Sequence, residues 1–288
     1  MTKISEHLSG DTPTFSIELL PPRSEAAERR LEQVLVELEP LHPLFTSITY
    51  GAGGSTRERT HELVVRLRHH SPMTPMAHLV CAEHTRGDLD AILSRYRAAD
   101  VDNILALHGD PPLDAVADQP EGELRHALDL VELAREVGDF CIAVAAHPEG
   151  HPRSPDLATD RRFLAAKLDA ADFAITQFFF HPQDYLQMVE DLAALGVDKP
   201  VIPGIMPITS YKTVAKMAQL SGTEVPVALR NRLEAVADQP EEVARIGVEV
   251  ATDLGDKLLA EGVPGLHVYT RNQAQATKEI HSNLGFSS

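Results

Sequence analysis

Cysteine is scarce in this sequence: Cys81 and Cys141 are the only two in 288 residues. They lie far apart inside apolar runs, and no CxxC or Cys/His zinc spacing occurs, so the pattern excludes a disulfide framework and a structural zinc site. Long hydrophobic runs are missing as well. Nothing approaches the length of a membrane-spanning helix, and the opening MTKISEHLSGDTPTF has no apolar stretch of signal-peptide length. Positive charge is in short supply, with 26 Lys and Arg against 43 Asp and Glu and a formal net charge of −17. A chain this acidic is repelled by phosphate backbones and anionic membranes, so nucleic acid and membranes are poor partners. An anionic ligand would have to be met by a local cluster. The expected compartment is the cytoplasm.

What is present is an ordinary globular composition, 43% hydrophobic and 24% charged, which excludes disorder, coiled coil and collagen. Eight short apolar runs recur: Phe15–Leu20, Phe45–Tyr50, Met76–Cys81, Asn103–Leu107, Cys141–Ala146, Phe173–Phe179, Val201–Met206 and Leu266–Thr270. They are continuously apolar rather than alternating, as parallel strands covered on both faces should be. Amphipathic stretches separate them, at Ser24–Glu39, Thr56–His69, Arg86–Ala98, Glu123–Val137, Asp160–Ala170, Pro182–Leu195 and Gln273–Asn283. Ser55-Thr56-Arg57-Glu58 and Thr209-Ser210 supply caps at helix starts. Eight β-then-α units in this length predict an α/β fold, a closed (β/α)8 TIM barrel forming a single domain over 1–288. The segment Ser210–Pro264 between the last two strands carries extra helices, one of them over Glu241–Glu261.

In such a barrel the C-terminal strand ends and the loops after them form the reactive face. The polar residues there are Glu18, Thr49, Tyr50, His78, His108, Asp110, His147, Gln177, Tyr269 and Thr270. Glu18 interrupts an apolar strand, and a carboxyl so placed is partly desolvated. That favours its neutral form and suits it to general acid work, although a structural pairing with an arginine would also explain it. Asp110 lies in the turn His108-Gly109-Asp110-Pro111-Pro112, where Gly permits close approach of backbone to a ligand; a plain Asx turn is the alternative. Gln177, set among aromatics, can donate and accept at once, as the amide edge of a heterocycle requires. Fourteen histidines raise the question of a metal. Barrel metallohydrolases, however, commonly need two His one residue apart on the first strand, and no His-x-His occurs anywhere, so no metal ligand is assigned. None of the seven lysines falls within a strand run, which argues against a Schiff-base aldolase. No GxSxG, Walker loop or GxGxxG is found.

These residues resemble a known family. Phe15-Ser16-Ile17-Glu18-Leu19-Leu20-Pro21-Pro22-Arg23 is similar to the first-strand signature of methylenetetrahydrofolate reductases, and Ser47-Ile48-Thr49-Tyr50-Gly51-Ala52 to their second-strand motif. Ala77-His78-Leu79, Gly109-Asp110-Pro111-Pro112, Thr176-Gln177-Phe178-Phe179-Phe180 and Ile202-Pro203-Gly204-Ile205-Met206-Pro207 follow in order. The resemblance implies a barrel that reduces 5,10-methylenetetrahydrofolate to 5-methyltetrahydrofolate with NADH or NADPH, the partners being folate and the dinucleotide. It implies that Glu18 is the acid at N10, that Asp110 stabilises the resulting cation, and that Gln177 contacts both pterin and nicotinamide. Tyr211 would lie against the aminobenzoate. Thr49, Tyr50, Ala52, His78, Gly109, Asp110, His147, His151, Lys167 and Gln177 would line the cofactor site, with Asp160 also matching.

Several flavin-contacting positions of the family nevertheless differ. His108 replaces an Arg, His147 and Ala127 replace tyrosines, and Phe163 and Ala166 replace an Asn and an Arg. Each lost charge-assisted contact is worth about 1.5–3 kcal/mol, so together they would weaken flavin binding by orders of magnitude. The expectation is therefore direct hydride transfer without bound FAD. The alternatives are an ordinary FAD relay and, more remotely, a metal-dependent hydrolase or an inactive folate-binding barrel. The lack of a dedicated 2′-phosphate arginine cluster leans toward NADH.

Overall fold

A computed structural model describes residues 3–10, 12–51, 56–82, 84–109 and 122–286. The continuously apolar runs become nine strands: β1 Thr14–Leu19, β2 Thr46–Ile48, β3 Pro75–Val80, β4 Asn103–Leu107, β5 Cys141–Ala146, β6 Phe173–Thr176, β7 Val201–Ile202, β8 Gly204–Ile205 and β9 Gly265–Tyr269. Every pairing is parallel, in the order β7-β6-β5-β4-β3-β2-β1-β9-β8. The seventh predicted strand, Val201–Met206, is thus two short ones. Pro203 has no N–H to give a ladder and splits the run; β7 pairs with β6 and β8 pairs with β9. Because those halves adjoin in the chain, the sheet curls into a TIM barrel joined through Pro203.

Helices fall between the strands: α1 Glu25–Leu38, α2 Arg57–His70, α3 Arg86–Ala98, α4 Ala127–Val137, α5 Leu157–Ala170 and α6 Pro182–Ala194. The predicted extra helices are α7 Tyr211–Ser221, α8 Val227–Ala235 and α9 Pro240–Ala260, lying between β8 and β9, and α10 Ala274–Asn283 closes the order. Ser210 caps α7, its side chain accepting from the Thr213 amide. Thr56 stands at the N-cap of α2 but makes no capping bond; its Oγ1 accepts instead from Gly51 N at 2.8 Å and lies 3.2 Å from Thr60 Oγ1, tying the β2 loop to the helix. Among the described residues no helix is long and apolar enough to cross a membrane. Both cysteines are free and buried, as their surroundings predict.

Strand periodicity sorts the side chains into layers. In β1, Ile17 and Leu19 join the large apolar cluster between sheet and helices, whereas Ser16 and Glu18 alternate with them and take the barrel interior. The lower interior is a dry plug of Phe45, Met76, Leu105, Ala143, Phe173, Ile175 and Ile202, sealed at the strand N-termini by Ile4 and Leu8. Ile4 is held there by its amide, which donates to Asn103 Oδ1 at 3.1 Å. A separate cluster around Met206, Ile208, Leu233 and Ile246 packs the extra helices. Gly247 lets α9 lie directly on that loop, since a Cβ there would meet the Ile208 backbone, 2.6 Å from its nitrogen. The inward-facing polar side chains of β1 thus lie above this apolar plug.

Candidate active site

Above the apolar plug sits a layer of neutral polar side chains. His267, on β9, lies with its Nδ1 2.9 Å from Ser16 Oγ and its Nε2 3.2 Å from Ser47 Oγ, and stacks on Phe45. Ser16 gives its own hydroxyl hydrogen to the Leu266 carbonyl at 3.2 Å, so the network places the imidazole proton on Nδ1. Burial pushes His267 down to about 3. It is uncharged at neutral pH, which suits a group with no counterion beside it.

Glu18 comes next up β1, level with Tyr269 in the β1–β9 register. Its side chain is only 16% exposed, and burial lifts its proton affinity from 4.5 to about 8, with the Arg271 guanidinium opposing. His78 on β3 reaches toward it, Nε2 lying 3.6 Å from Glu18 Oε2. That spacing is within ion-pair range but too long for a hydrogen bond. Burial also drives His78 down to about 3, so at neutral pH the two face each other as a carboxylic acid and a neutral imidazole. Tyr269 donates its hydroxyl to the Thr176 carbonyl, immediately before Gln177, and burial raises its proton affinity well above the ordinary value. Gly204 makes room for that ring, because a Cβ there would lie 2.6 Å from Tyr269 Cε2 and 2.7 Å from its hydroxyl.

The upper end of β1 is fastened to the loop after β9. Thr270 Oγ1 donates to the Glu18 carbonyl at 2.6 Å. The Asn272 side chain bonds both backbone groups of Leu20, at 2.9 and 3.0 Å. Arg271 and Asn272 both adopt left-handed backbone, with φ of 50° and 57°. Two consecutive non-glycine residues there carry strain of about 1–3 kcal/mol each, held in place by these bonds. Sequence reasoning lists Tyr269 and Thr270 only as polar strand ends and does not single out His267, Arg271 or Asn272. The inward phase of β9 was the available signal for His267 and Tyr269, whereas the left-handed pair has no sequence signature beyond the tolerance of Asn for it.

The other predicted residues that the structure describes lie on neighbouring strand ends, loops and helices, each with its own local partners. Thr49 follows β2, its carbonyl accepting from Thr60 Oγ1, and the Tyr50 hydroxyl lies 3.0 Å from His84 Nε2. Gly109 has φ +94°, and a Cβ there would strike Val80, so the residue after His108 is committed to glycine. Gln177 lies at the end of β6, its own Oε1 accepting from the Phe178 amide at 3.0 Å. On the β5 side, His147 and His151 pack edge to face at 4.7 Å. The Lys167 ammonium donates to the Ala145 carbonyl at 2.7 Å, and burial lowers it to about 8. Asp160 accepts from Ser154 at 2.8 Å and pairs with the buried Arg161. Tyr211 starts α7, its hydroxyl donating to Glu234 at 2.5 Å, while its ring packs on the same apolar cluster as Tyr269. Ala52 and Asp110 lie outside the described residues. Among the described residues no three His, Cys, Asp or Glu side chains gather as metal ligands.

The centre thus offers a buried carboxyl whose proton affinity stays raised despite the Arg271 guanidinium, so that it can give a proton at neutral pH. The family described as methylenetetrahydrofolate reductase matches residues 3–285. A 5,10-methylenetetrahydrofolate reductase of Pectobacterium carotovorum is 35% identical over 271 residues, covering 94% of this chain and 89% of that protein. Methylenetetrahydrofolate reductase (NADH) 1 of Arabidopsis thaliana is 38% identical over 285 residues; 94% of this chain matches 48% of that longer protein. Among solved structures, a Clostridium thermocellum protein described as binding two copies of 5-methyl-5,6,7,8-tetrahydrofolic acid superposes with a TM-score of 0.68 at 14% identity, covering 98% of both chains.

Proposed function

The chain belongs to the methylenetetrahydrofolate reductase family, and from that premise we propose that it passes hydride directly from NADH, or NADPH, to 5,10-methylenetetrahydrofolate, with Glu18 as the general acid and no flavin relay. The observation that carries the acid role is the burial of the Glu18 side chain on β1, 16% exposed and 3.6 Å from His78 Nε2, which raises its proton affinity to about 8. The methylene bridge is a poor hydride acceptor until N10 is protonated and the ring opens to an N5 iminium. Glu18 supplies that proton. Hydride then adds to the methylene carbon and yields the 5-methyl product, after which Glu18 regains a proton from solvent. Gln177, beside the Tyr269–Thr176 bond, would orient the pterin edge. Tyr211 offers a ring for the aminobenzoate, and Asp110 would favour the cation electrostatically. The NADH in the name of the Arabidopsis relative supports a nicotinamide donor of that kind.

The residues present do not suit a flavin diphosphate, which wants permanent cations and, for its rings, flat aromatic contacts. His147 is pushed down to about 3 and so is uncharged at neutral pH. Lys167 is bonded to the Ala145 carbonyl and has a lowered proton affinity. Phe163 presents 59% of its apolar surface where a polar contact is required, and Ala127 and Ala166 offer nothing to hold a phosphate. A flavin relay draws on the retained Thr49, Tyr50, Gly109 and Lys167, and one measurement separates the two readings. The purified protein should lack the yellow absorbance of a flavin and should show ternary-complex rather than ping-pong kinetics with NADH and folate. Stoichiometric FAD, or parallel double-reciprocal lines, would overturn direct transfer.

A further inference from the structure

His78 carries a feature that Glu18's role as acid does not by itself explain. Its Nε2 is buried and has no hydrogen-bond partner. An orphaned polar atom in a barrel interior is costly, and few survive in folded proteins without a reason. The groups set against Glu18 are His78 on β3, Tyr269 on β9 and Arg271 beyond β9, with His267 on β9 next to His78. His267 is committed at both nitrogens to Ser16 and Ser47, Tyr269 gives its hydroxyl to Thr176, and Arg271 directs Nη1 at the Met217 sulfur. Of these four, His78 is the one with a buried nitrogen left unpaired, and that nitrogen points at Glu18 Oε2 from 3.6 Å.

Resting on the acid role of Glu18, we propose that His78 is its positioning residue: the Nε2–H closes onto Oε2 as the carboxyl gives up its proton, so the contact is made with the carboxylate and not with the acid. The bookkeeping of the step is complete without His78 changing its own protonation. The Glu18 proton goes to N10, the N10–methylene bond breaks with its electron pair moving to N10, and the N5 lone pair forms the C=N bond. The nicotinamide then delivers its hydride to that carbon. What His78 adds is a hydrogen bond that strengthens as negative charge appears on Glu18. Such an interaction lowers the barrier because it is stronger in the transition state than in the resting site. The long resting spacing follows from the same idea, since an Nε2–H donates less strongly to a neutral carboxyl oxygen than to a carboxylate.

The test is the pH profile of NADH-dependent folate reduction, kcat and KM separately, between pH 6 and 10. In the unsubstituted protein activity should fall as pH rises through the Glu18 titration near 8. His78→Leu removes the donor. It should lower kcat about tenfold and move that alkaline limb upward by about one pH unit, because the carboxylate has become harder to form. His78→Gln, whose amide can reach the Nε2 position, should restore both. If His78→Leu does not fold, His78→Asn, too short to reach Oε2, takes its place with the same expectation. A kcat lowered equally at every pH with the limb unmoved, or a raised KM for NADH at unchanged kcat, would overturn the proposal. Glu18→Gln is assayed alongside: activity surviving there defeats the acid assignment itself, whereas loss of activity there with an unmoved limb in the His78 variants defeats only the inference about His78.

Discussion

Keeping a carboxyl un-ionised inside a barrel has a thermodynamic consequence that can be measured without substrate. In the unfolded chain Glu18 titrates near 4.5; in the folded barrel it does so near 8. Between those values the folded state holds a proton that the unfolded state has released. Stability therefore falls as pH rises through this window, and above pH 8 the folded state carries the full cost of a buried carboxylate. At about 1.4 kcal/mol per pH unit the gap corresponds to about 5 kcal/mol, against a total stability of about 5–15 kcal/mol for a typical domain. Approach of Arg271 or water would relieve part of it, leaving about 2–5 kcal/mol. Glu18→Gln removes the titration while nearly conserving shape. The variant should therefore match the parent to within about 1 kcal/mol at pH 5 and exceed it by about 2–5 kcal/mol at pH 9. Denaturant unfolding of both proteins across that range is the assay. A difference that stays constant with pH would refute the claim that Glu18 is a buried neutral acid.

Two further outcomes follow from the same interior. His78 and His267 have folded values depressed to about 3, so the unfolded state binds the extra protons below about 6.5. Stability should be intact above that pH and be lost progressively as pH falls toward 3; His267→Gln should flatten the acid side of a thermal-stability profile, and an unchanged slope would count against the assignment. Gly204→Ala forces a Cβ against Tyr269 and the Thr176 carbonyl, which should cost about 1–3 kcal/mol and displace the tyrosine. Chemical denaturation together with the reductase assay reads both effects, and a neutral substitution would show that the contact yields freely.

Much of this architecture was legible because burial on both faces leaves a plain mark. The runs Asn103–Leu107 and Cys141–Ala146 and the helix Arg86–Ala98 are realised with the predicted ends. The special standing of Glu18 was readable from one charged residue inside an apolar strand, and the structure adds the degree of burial behind it. Other features depend on tertiary partners. Phe178 and Phe179 look like a continuation of β6, but the strand stops at Thr176 and the first of them turns to the cluster under the extra helices. Thr56 reads as a cap, but its Oγ1 accepts from the Gly51 amide of the preceding loop instead. The pairing of His78 with Glu18 joins β3 to β1 over the intervening β2, a proximity that spacing in one dimension cannot express.

The interruption at Pro203 bears on how the protein breathes. A ring of strands resists deformation because each ladder braces the next, and here one stave is cut in two, with only short stretches gripping β6 and β9. The joint is bridged by Gly204 N donating to Thr176 Oγ1 at 2.8 Å and by the hydroxyl of Tyr269 on the Thr176 carbonyl. Amide exchange should accordingly be fastest, among the core strands, along this joint, while β3 through β5 remain protected. Tyr269 and Gln177 flank the same joint, so loosening there would shift first the ring that stands level with Glu18.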